Sequence, residues 1–193
     1  MLSLRILDIA QDWITRVVQE GDVVIDATAG NGHDTLFLSR LVGDTGHVYA
    51  FDIQEDAIKN TRELLQKKSV KEQVDYLSRV SLHAQCHSLL SDHCQGTVAA
   101  VMFNLGYLPS GDKSIITKFD TTITALEATL SLLKVGGVIS IACYPGHEGG
   151  GDEASKVDQW SKELPTIHYQ VVRLQPYNAK SIAPYLLVLQ KVR

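Results

Sequence analysis

Residues 23–39, VVIDATAGNGHDTLFLS, decide the fold of this chain. Val23, Val24 and Ile25 form a short β-branched run, which reads as an interior parallel strand buried on both faces. Asp26 closes that strand. Gly30 and Gly32 then supply a turn without Cβ atoms, so main-chain N–H groups can approach a bound molecule closely. Asp34 and Thr35 open a helix with an expected apolar face of Leu36, Phe37 and Leu41. A strand, turn and helix in this order aim the helix N-terminus, with its free N–H groups and partial positive charge, at an anionic group.

The second half of the signal is HVYAFDIQ, residues 47–54: another apolar strand, ending in Asp52. In a doubly wound α/β fold the carboxyl ends of neighbouring strands share one crevice. An acidic residue about 20 positions past the glycines accepts hydrogen bonds from ribose hydroxyls there. Asp52 is expected in that role, with Ile53 and Gln54 beside it; Gln54 either caps the next helix or touches the adenosine. A dinucleotide fingerprint requires G-x-G-x-x-G, whereas Gly30-Asn31-Gly32 is followed by Thr35 in place of the third glycine. D-x-T-x-G-N-G followed by a strand ending in Asp resembles the cofactor loop of class I S-adenosylmethionine-dependent methyltransferases. Thr28 stands where many members carry a first glycine.

Composition fits an ordinary globular domain of 193 residues, 45% hydrophobic and 21% charged, long enough for one core. No run approaches the roughly 18 to 20 apolar residues that span a bilayer, and Arg5, Asp8 and Asp12 interrupt the N-terminal segment. No membrane association is expected, and a cytoplasmic location is. Cys86, Cys94 and Cys143 make neither a disulfide framework nor a zinc site, and the seven histidines lack ligand spacing, so no metal is expected. The net charge of −4 does not announce a nucleic-acid partner. Lys59, Arg62, Lys67, Lys68, Lys71 and Arg79 cluster, but as a solvated helix face.

The chain reads as one domain, 1–193, of alternating strand and helix. An amphipathic helix over 4–19 packs on it. Strands are expected at 22–26, 47–52, 79–83, 98–103 and 138–143, the last after a Gly136-Gly137 turn. Helices are expected at 33–42, 54–68, 121–133 and 153–163, with an extra turn near 70–77 and a short helix after Cys86. Two final strands, 168–174 and 185–190, complete a mostly parallel sheet with an antiparallel edge hairpin. The α/β class follows from this alternation, with helices on both faces. A seven-stranded Rossmann-like order is what the methyltransferase resemblance implies.

After the fourth strand comes FNLGYLPSGDKSIITKFDTT, residues 103–122, at the edge where ligands bind in such sheets. Asn104-Leu105-Gly106-Tyr107 resembles the N-P-P-Y motif of amino-group methyltransferases, with both prolines replaced. In that motif an Asn side-chain oxygen and a backbone carbonyl accept hydrogen bonds from the target amine, and the aromatic ring stacks on the substrate. An amine must aim its lone pair at the methyl group, and fixing its N–H bonds sets that direction. Lys113 contacts a phosphate or is simply solvated. A second glycine-rich rim, residues 142–151, carries Tyr144, which can stack on a base, and His147, a general base or a loop residue. Cys86 and His87, beyond the third strand, lie where this fold commonly contacts adenine.

Together DATAGNGHDTLFL, HVYAFDIQ, FNLGYLPSGDKSI and Y-x-G-H-x-G-G resemble a small bacterial methyltransferase family known as rRNA methylases, over nearly the whole chain. Members are associated with the wobble uridine of tRNA. The resemblance implies methyl transfer from S-adenosylmethionine to the amine of 5-aminomethyl-2-thiouridine in a tRNA anticodon loop. It implies cofactor contacts from Asp26, Gly30, Asn31, Gly32, Asp34, Thr35, Asp52, Ile53, Gln54, Cys86, His87 and Asn104. Gly106, Tyr107, Lys113, Tyr144 and His147 would face the substrate, with Asn104, Tyr107 and His147 catalytic. An rRNA or small-molecule N-methyltransferase and a non-catalytic cofactor-binding partner are the competing readings. Whether the chain forms a homodimer is left open.

Overall fold

A computed structural model describes residues 5–106, 108, 116–146, 150–179 and 181–193. The element order is α1 (Ile6–Thr15), β1 (Val23–Asp26), α2 (His33–Val42), β2 (His47–Asp52), α3 (Glu55–Glu72), β3 (Val80–Ala84), α4 (Leu90–His93), β4 (Val98–Leu105), α5 (Phe119–Leu132), β5 (Leu133–Cys143), α6 (Gly150–Glu163), β6 (Tyr169–Leu174) and β7 (Tyr185–Lys191). The seven strands form one sheet in the order β3-β2-β1-β4-β5-β7-β6. β3, β2, β1, β4 and β5 pair in parallel, and β7 runs antiparallel to both β5 and β6. The strand order reverses between the paired strands β1 and β4, so the chain leaves them toward opposite faces of the sheet and a crevice opens at their carboxyl ends.

Both faces of the sheet are covered, which is why its central strands are apolar throughout. Val24, Val48, Met102 and Val138 pack on α1 and α2 through Ala10, Ile14, Leu38 and Val42, and Ile58 of α3 covers Ala50. Ile25, Phe51, Val101, Phe103 and Ile139 face the other way, onto Leu90, Ala125, Leu126, Ala154 and Val157 of α4, α5 and α6. Each buried Val, Leu, Ile, Met or Phe among them contributes about 1.5–3 kcal/mol by leaving water. α2 meets α3 as well as the sheet, so it buries Leu36, Leu38 and Val42, while Phe37 and Leu41 are only half-buried.

Several boundaries differ from the sequence reading. α1 is shorter than 4–19 because Arg16 and Val17 bond back three residues, to Trp13 and Ile14, and the last turn unwinds. α3 runs to Glu72, where Arg40 of α2 (2.6 Å) and the Tyr76 hydroxyl (2.8 Å) grip the Glu72 carboxylate. The extra turn lies at Leu77–Arg79, just beyond the expected 70–77. β5 begins at Leu133, not after Gly136-Gly137, because the glycines make an irregularity inside the strand: Val98 pairs with Leu133 and Ala100 with Val138. A Cβ at Gly137 would lie 2.9 Å from the Ala99 carbonyl oxygen, so only glycine allows β4 to come so close.

Candidate active site

The turn after β1 is folded around Asp26. Its fully buried carboxyl accepts hydrogen bonds from the Thr28 N–H (3.2 Å) and the Thr35 hydroxyl (2.6 Å). Burial, reinforced by the charge of Asp34, pushes its pKa up to about 7. The Gly32 N–H bonds to the Ala29 carbonyl, and the Ala29 N–H reaches across to Phe51 of β2 (both 2.8 Å). Gly30 and Gly32 adopt φ of +54° and +82°, in the left-handed region. At Gly32 a Cβ would lie 2.8 Å from the Thr61 Cα.

Asp52 braces this turn from the neighbouring strand. One carboxylate oxygen accepts the Gly30 N–H and the other the Gln54 N–H, each at 2.9 Å. A carboxylate only accepts, so a ribose hydroxyl in the cavity that Asp52 lines can donate to it. Burial raises the Asp52 pKa. Beside it Ile53 is 62% exposed, an apolar side chain left where a planar ring can cover it. The Gln54 side chain does not cap α3.

These groups line a cavity of about 990 Å³ at the carboxyl ends of β1, β2 and β4. That volume lies at the top of the range for small-molecule sites, leaving room for an acceptor beside a nucleoside cofactor. Its wall includes Gly30, Asn31, Asp34, Asp52, Ile53, Gln54, Cys86, His87, Asn104, Gly106 and Tyr144. Asp26, Gly32 and Thr35 are not on it, which corrects their expected contact with cofactor: Asp26 and Thr35 are sealed behind the turn, each 0% exposed. They shape the loop. Tyr107, Lys113 and His147 lie outside the described residues.

Across the cavity, Asn104 sits one residue from the end of β4. Its N–H bonds to the Thr28 hydroxyl and its side-chain Nδ2 to Asp34, both at 2.8 Å. A carboxylate only accepts, so the Asn104 nitrogen must face Asp34, and Oδ1 is turned outward as an acceptor. The other Asp34 oxygen accepts Gln11 Nε2 of α1 at 2.8 Å. Asp34, 7% exposed, thus fixes an amide on either side. Burial first, and then the charge of Asp34, hold the Tyr144 phenol above its ordinary pKa, so it stays protonated.

His87 is 6% exposed and bonds through Nδ1 to the Ala27 carbonyl at 3.1 Å. A carbonyl cannot donate, so Nδ1 carries the proton. Burial lowers the His87 pKa and keeps the ring neutral.

Sequence reasoning missed Gln11, Leu7, Thr28, Lys118, Ile182 and Pro184. The last five line the cavity, and Gln11 acts through Asp34. Gln11 had a signal, since it interrupts the apolar stripe Leu7, Ile14, Val18 at helical spacing. Ile182 and Pro184 had none, because the β6–β7 connection returns to the cavity only in three dimensions. Among the described residues no group of three or more His, Cys, Asp or Glu side chains is placed to hold a metal ion. None of the described helices is long and apolar enough to cross a membrane.

The reversed strand order, the glycine turn on Asp52 and the antiparallel seventh strand define a class I S-adenosylmethionine-dependent methyltransferase. The family model described as "Putative rRNA methylase" matches residues 48–190, and the chain belongs to that family. It is 42% identical over 183 residues to the chloroplastic tRNA (mnm(5)s(2)U34)-methyltransferase of Arabidopsis thaliana, which covers 91% of this chain and 65% of that protein. The chain therefore spans just under two thirds of that relative's length. A structure described as a "putative rRNA-methylase" from Clostridium thermocellum superposes with a TM-score of 0.91 at 40% identity, covering 99% of this chain and 100% of that one. A structure described as "a putative methyltransferase" from Streptococcus mutans in complex with SAH superposes with a TM-score of 0.86 at 36% identity, covering 99% of each chain. SAH is the demethylated form of S-adenosylmethionine, the cofactor of this family's site.

Proposed function

We propose that this chain methylates the exocyclic amine of 5-aminomethyl-2-thiouridine at the wobble position of tRNA, giving the 5-methylaminomethyl form. The observation that carries the reading is Asn104, whose amide is locked by Asp34 with Oδ1 outward on the cavity wall. An amine that donates one N–H to Oδ1 has its remaining lone pair directed, and direction is most of what this reaction needs. S-adenosylmethionine supplies an activated methyl group on a positive sulfur. The nitrogen forms the new N–C bond as the C–S bond breaks, and the proton it then loses passes to solvent or a nearby base.

The 42% identical plant relative, named for the same wobble nucleoside, supports this choice of acceptor. A wobble base in an exposed anticodon loop enters a pocket without the opening of a duplex. A chain of net charge −4 then needs only a local cation, and exposed Lys118 on the cavity wall has no acidic partner among the described residues. A cytoplasmic location accompanies this reading. The family description favours rRNA instead, and the test separates the two. Purified protein is given tRNA carrying the aminomethyl precursor, or rRNA from cells lacking the enzyme, and nucleosides are analysed by mass spectrometry. Methylation of the tRNA is expected, with an Asn104→Ala loss of about 100-fold in kcat and unchanged SAH affinity. Transfer to rRNA alone would overturn the assignment.

A further inference from the structure

Glu153 lies in the first turn of α6, is only 4% exposed, and has no cation within ion-pair distance among the described residues. Its oxygens accept hydrogen bonds from two threonine hydroxyls of a different part of the chain: Thr117 at 2.6 Å and Thr122 at 2.8 Å. A buried carboxylate without a cation stabilises a fold poorly, and an apolar side chain of similar size commonly does as well. Stability alone therefore gives this residue little reason to be acidic.

Its neighbours supply one. Thr117 and Lys118 line the cavity, and the Thr117 N–H clasps the Gly106 carbonyl at 2.9 Å. Thr122 Oγ1 stands 3.5 Å from His87 Nε2. His87 already donates from Nδ1 to Ala27, so its neutral ring presents a lone pair at Nε2. Thr122 has a single proton and two acceptors within reach, Nε2 and Glu153 Oε1. The carboxylate is nearer and charged, and takes it. His87 Nε2 is thereby left without a hydrogen-bond donor, on a residue that lines the cavity.

We propose that Glu153 is a positioning residue, which holds the Thr117–Thr122 wall of the cavity and, by claiming the Thr122 proton, keeps His87 Nε2 free to accept from the cofactor's exocyclic amine. The proposal rests on the cofactor reading of the cavity and not on the identity of the acceptor. Its test is the preference for SAH over S-inosylhomocysteine, which carries a carbonyl in place of that amine, measured by calorimetry on the full chain. The wild type is expected to favour SAH by about tenfold or more, the worth of one hydrogen bond to an otherwise unpaired buried acceptor. Glu153→Leu, which keeps the volume, frees the Thr122 proton to turn to Nε2, and the preference is expected to fall at least fivefold. Adding Thr122→Val removes the competing proton and restores the preference to within twofold of wild type. Glu153→Gln, which keeps an acceptor oxygen, lies between and serves if the leucine variant does not fold.

A merely structural role would weaken both ligands equally and leave the ratio alone. An unmoved ratio in the leucine and glutamine variants, no restoration by Thr122→Val, or equal wild-type affinities would each overturn the proposal. None of these readings requires methyl transfer. An enzyme inactive on tRNA with the expected ratios would remove the assigned substrate and leave the role of Glu153 standing.

Discussion

Asp34 is the joint between the N-terminal helix and the acceptor side of the site, and a double-mutant cycle on Gln11 and Asp34 tests it. The Gln11 amide donates to a nearly buried carboxylate at 2.8 Å. Such a bond to a charged group is worth about 1.5–3 kcal/mol; the half-exposed glutamine places it at the lower end, about 1.5. Gln11→Ala also strips the γ-methylene, which is half in water, adding about 0.5 kcal/mol. The expected total of about 2 kcal/mol corresponds to a fall in Tm of roughly 4–8 °C for a domain of this size. In an Asp34→Ala background the hydrogen bond no longer exists, so the same substitution should cost only about 0.5 kcal/mol, a coupling of about 1.5. Urea unfolding of the four proteins measures it. Activity should divide differently. Gln11→Ala leaves the Asn104–Asp34 bond in place and transfer within about threefold of wild type, while Asp34→Ala frees the Asn104 amide to rotate and should cost about 100-fold in kcat/KM. Additive stabilities, or a Gln11→Ala enzyme as inactive as Asp34→Ala, would refute the reasoning.

The two loop glycines should respond unequally to alanine. Both pay for a left-handed backbone, about 1 kcal/mol, but Gly30→Ala meets nothing nearer than Leu108 Cδ1 at 3.5 Å, whereas Gly32→Ala drives into the Thr61 backbone at 2.8 Å. About 1 kcal/mol is expected for the first and about 3 for the second, once overpacking is added, and thermal melts that rank them the other way would contradict the geometry. Asp26 sets a pH dependence. Its folded-state pKa is raised, so the protonated form is favoured by the fold, and its contribution is fully present below about pH 4 and lost as pH rises through about 7. Asp26→Asn mimics the protonated group, so the stability of the variant relative to wild type should increase steadily between pH 4 and 8, and a pH-independent difference counts against a raised pKa.

What could be read in the sequence was what short-range physics encodes. α2 at 33–42 and β2 at 47–52 fall where periodicity and the glycines put them, since a strand, a tight turn and a helix start are specified within a few residues. The sheet order came with the family resemblance. Contacts across the chain were not readable: Gln11 reaches Asp34 over 23 residues and Glu153 reaches Thr117 over 36. Nothing local announces either partner.

Asp26 and Asp52 show where the limit lies. Both end a parallel strand after an apolar run, both stand at the same edge of the sheet, and motif logic sent both to the ligand. Their surroundings separate them. After Asp26 the chain turns back over the carboxyl, and nine residues later the Thr35 hydroxyl closes on it at 2.6 Å, leaving it fully buried. After Asp52 the chain departs through Ile53 and Gln54 into α3; the oxygens take the Gln54 N–H and the Gly30 N–H from the neighbouring loop, and among the described residues no side chain donates to them. One aspartate becomes the post around which the loop is wound, and the other stays on the cavity wall. A strand-ending carboxylate in such a sheet is therefore assigned by the path of the next ten residues, and Thr35, in the place of a third glycine, marks the one that is sealed.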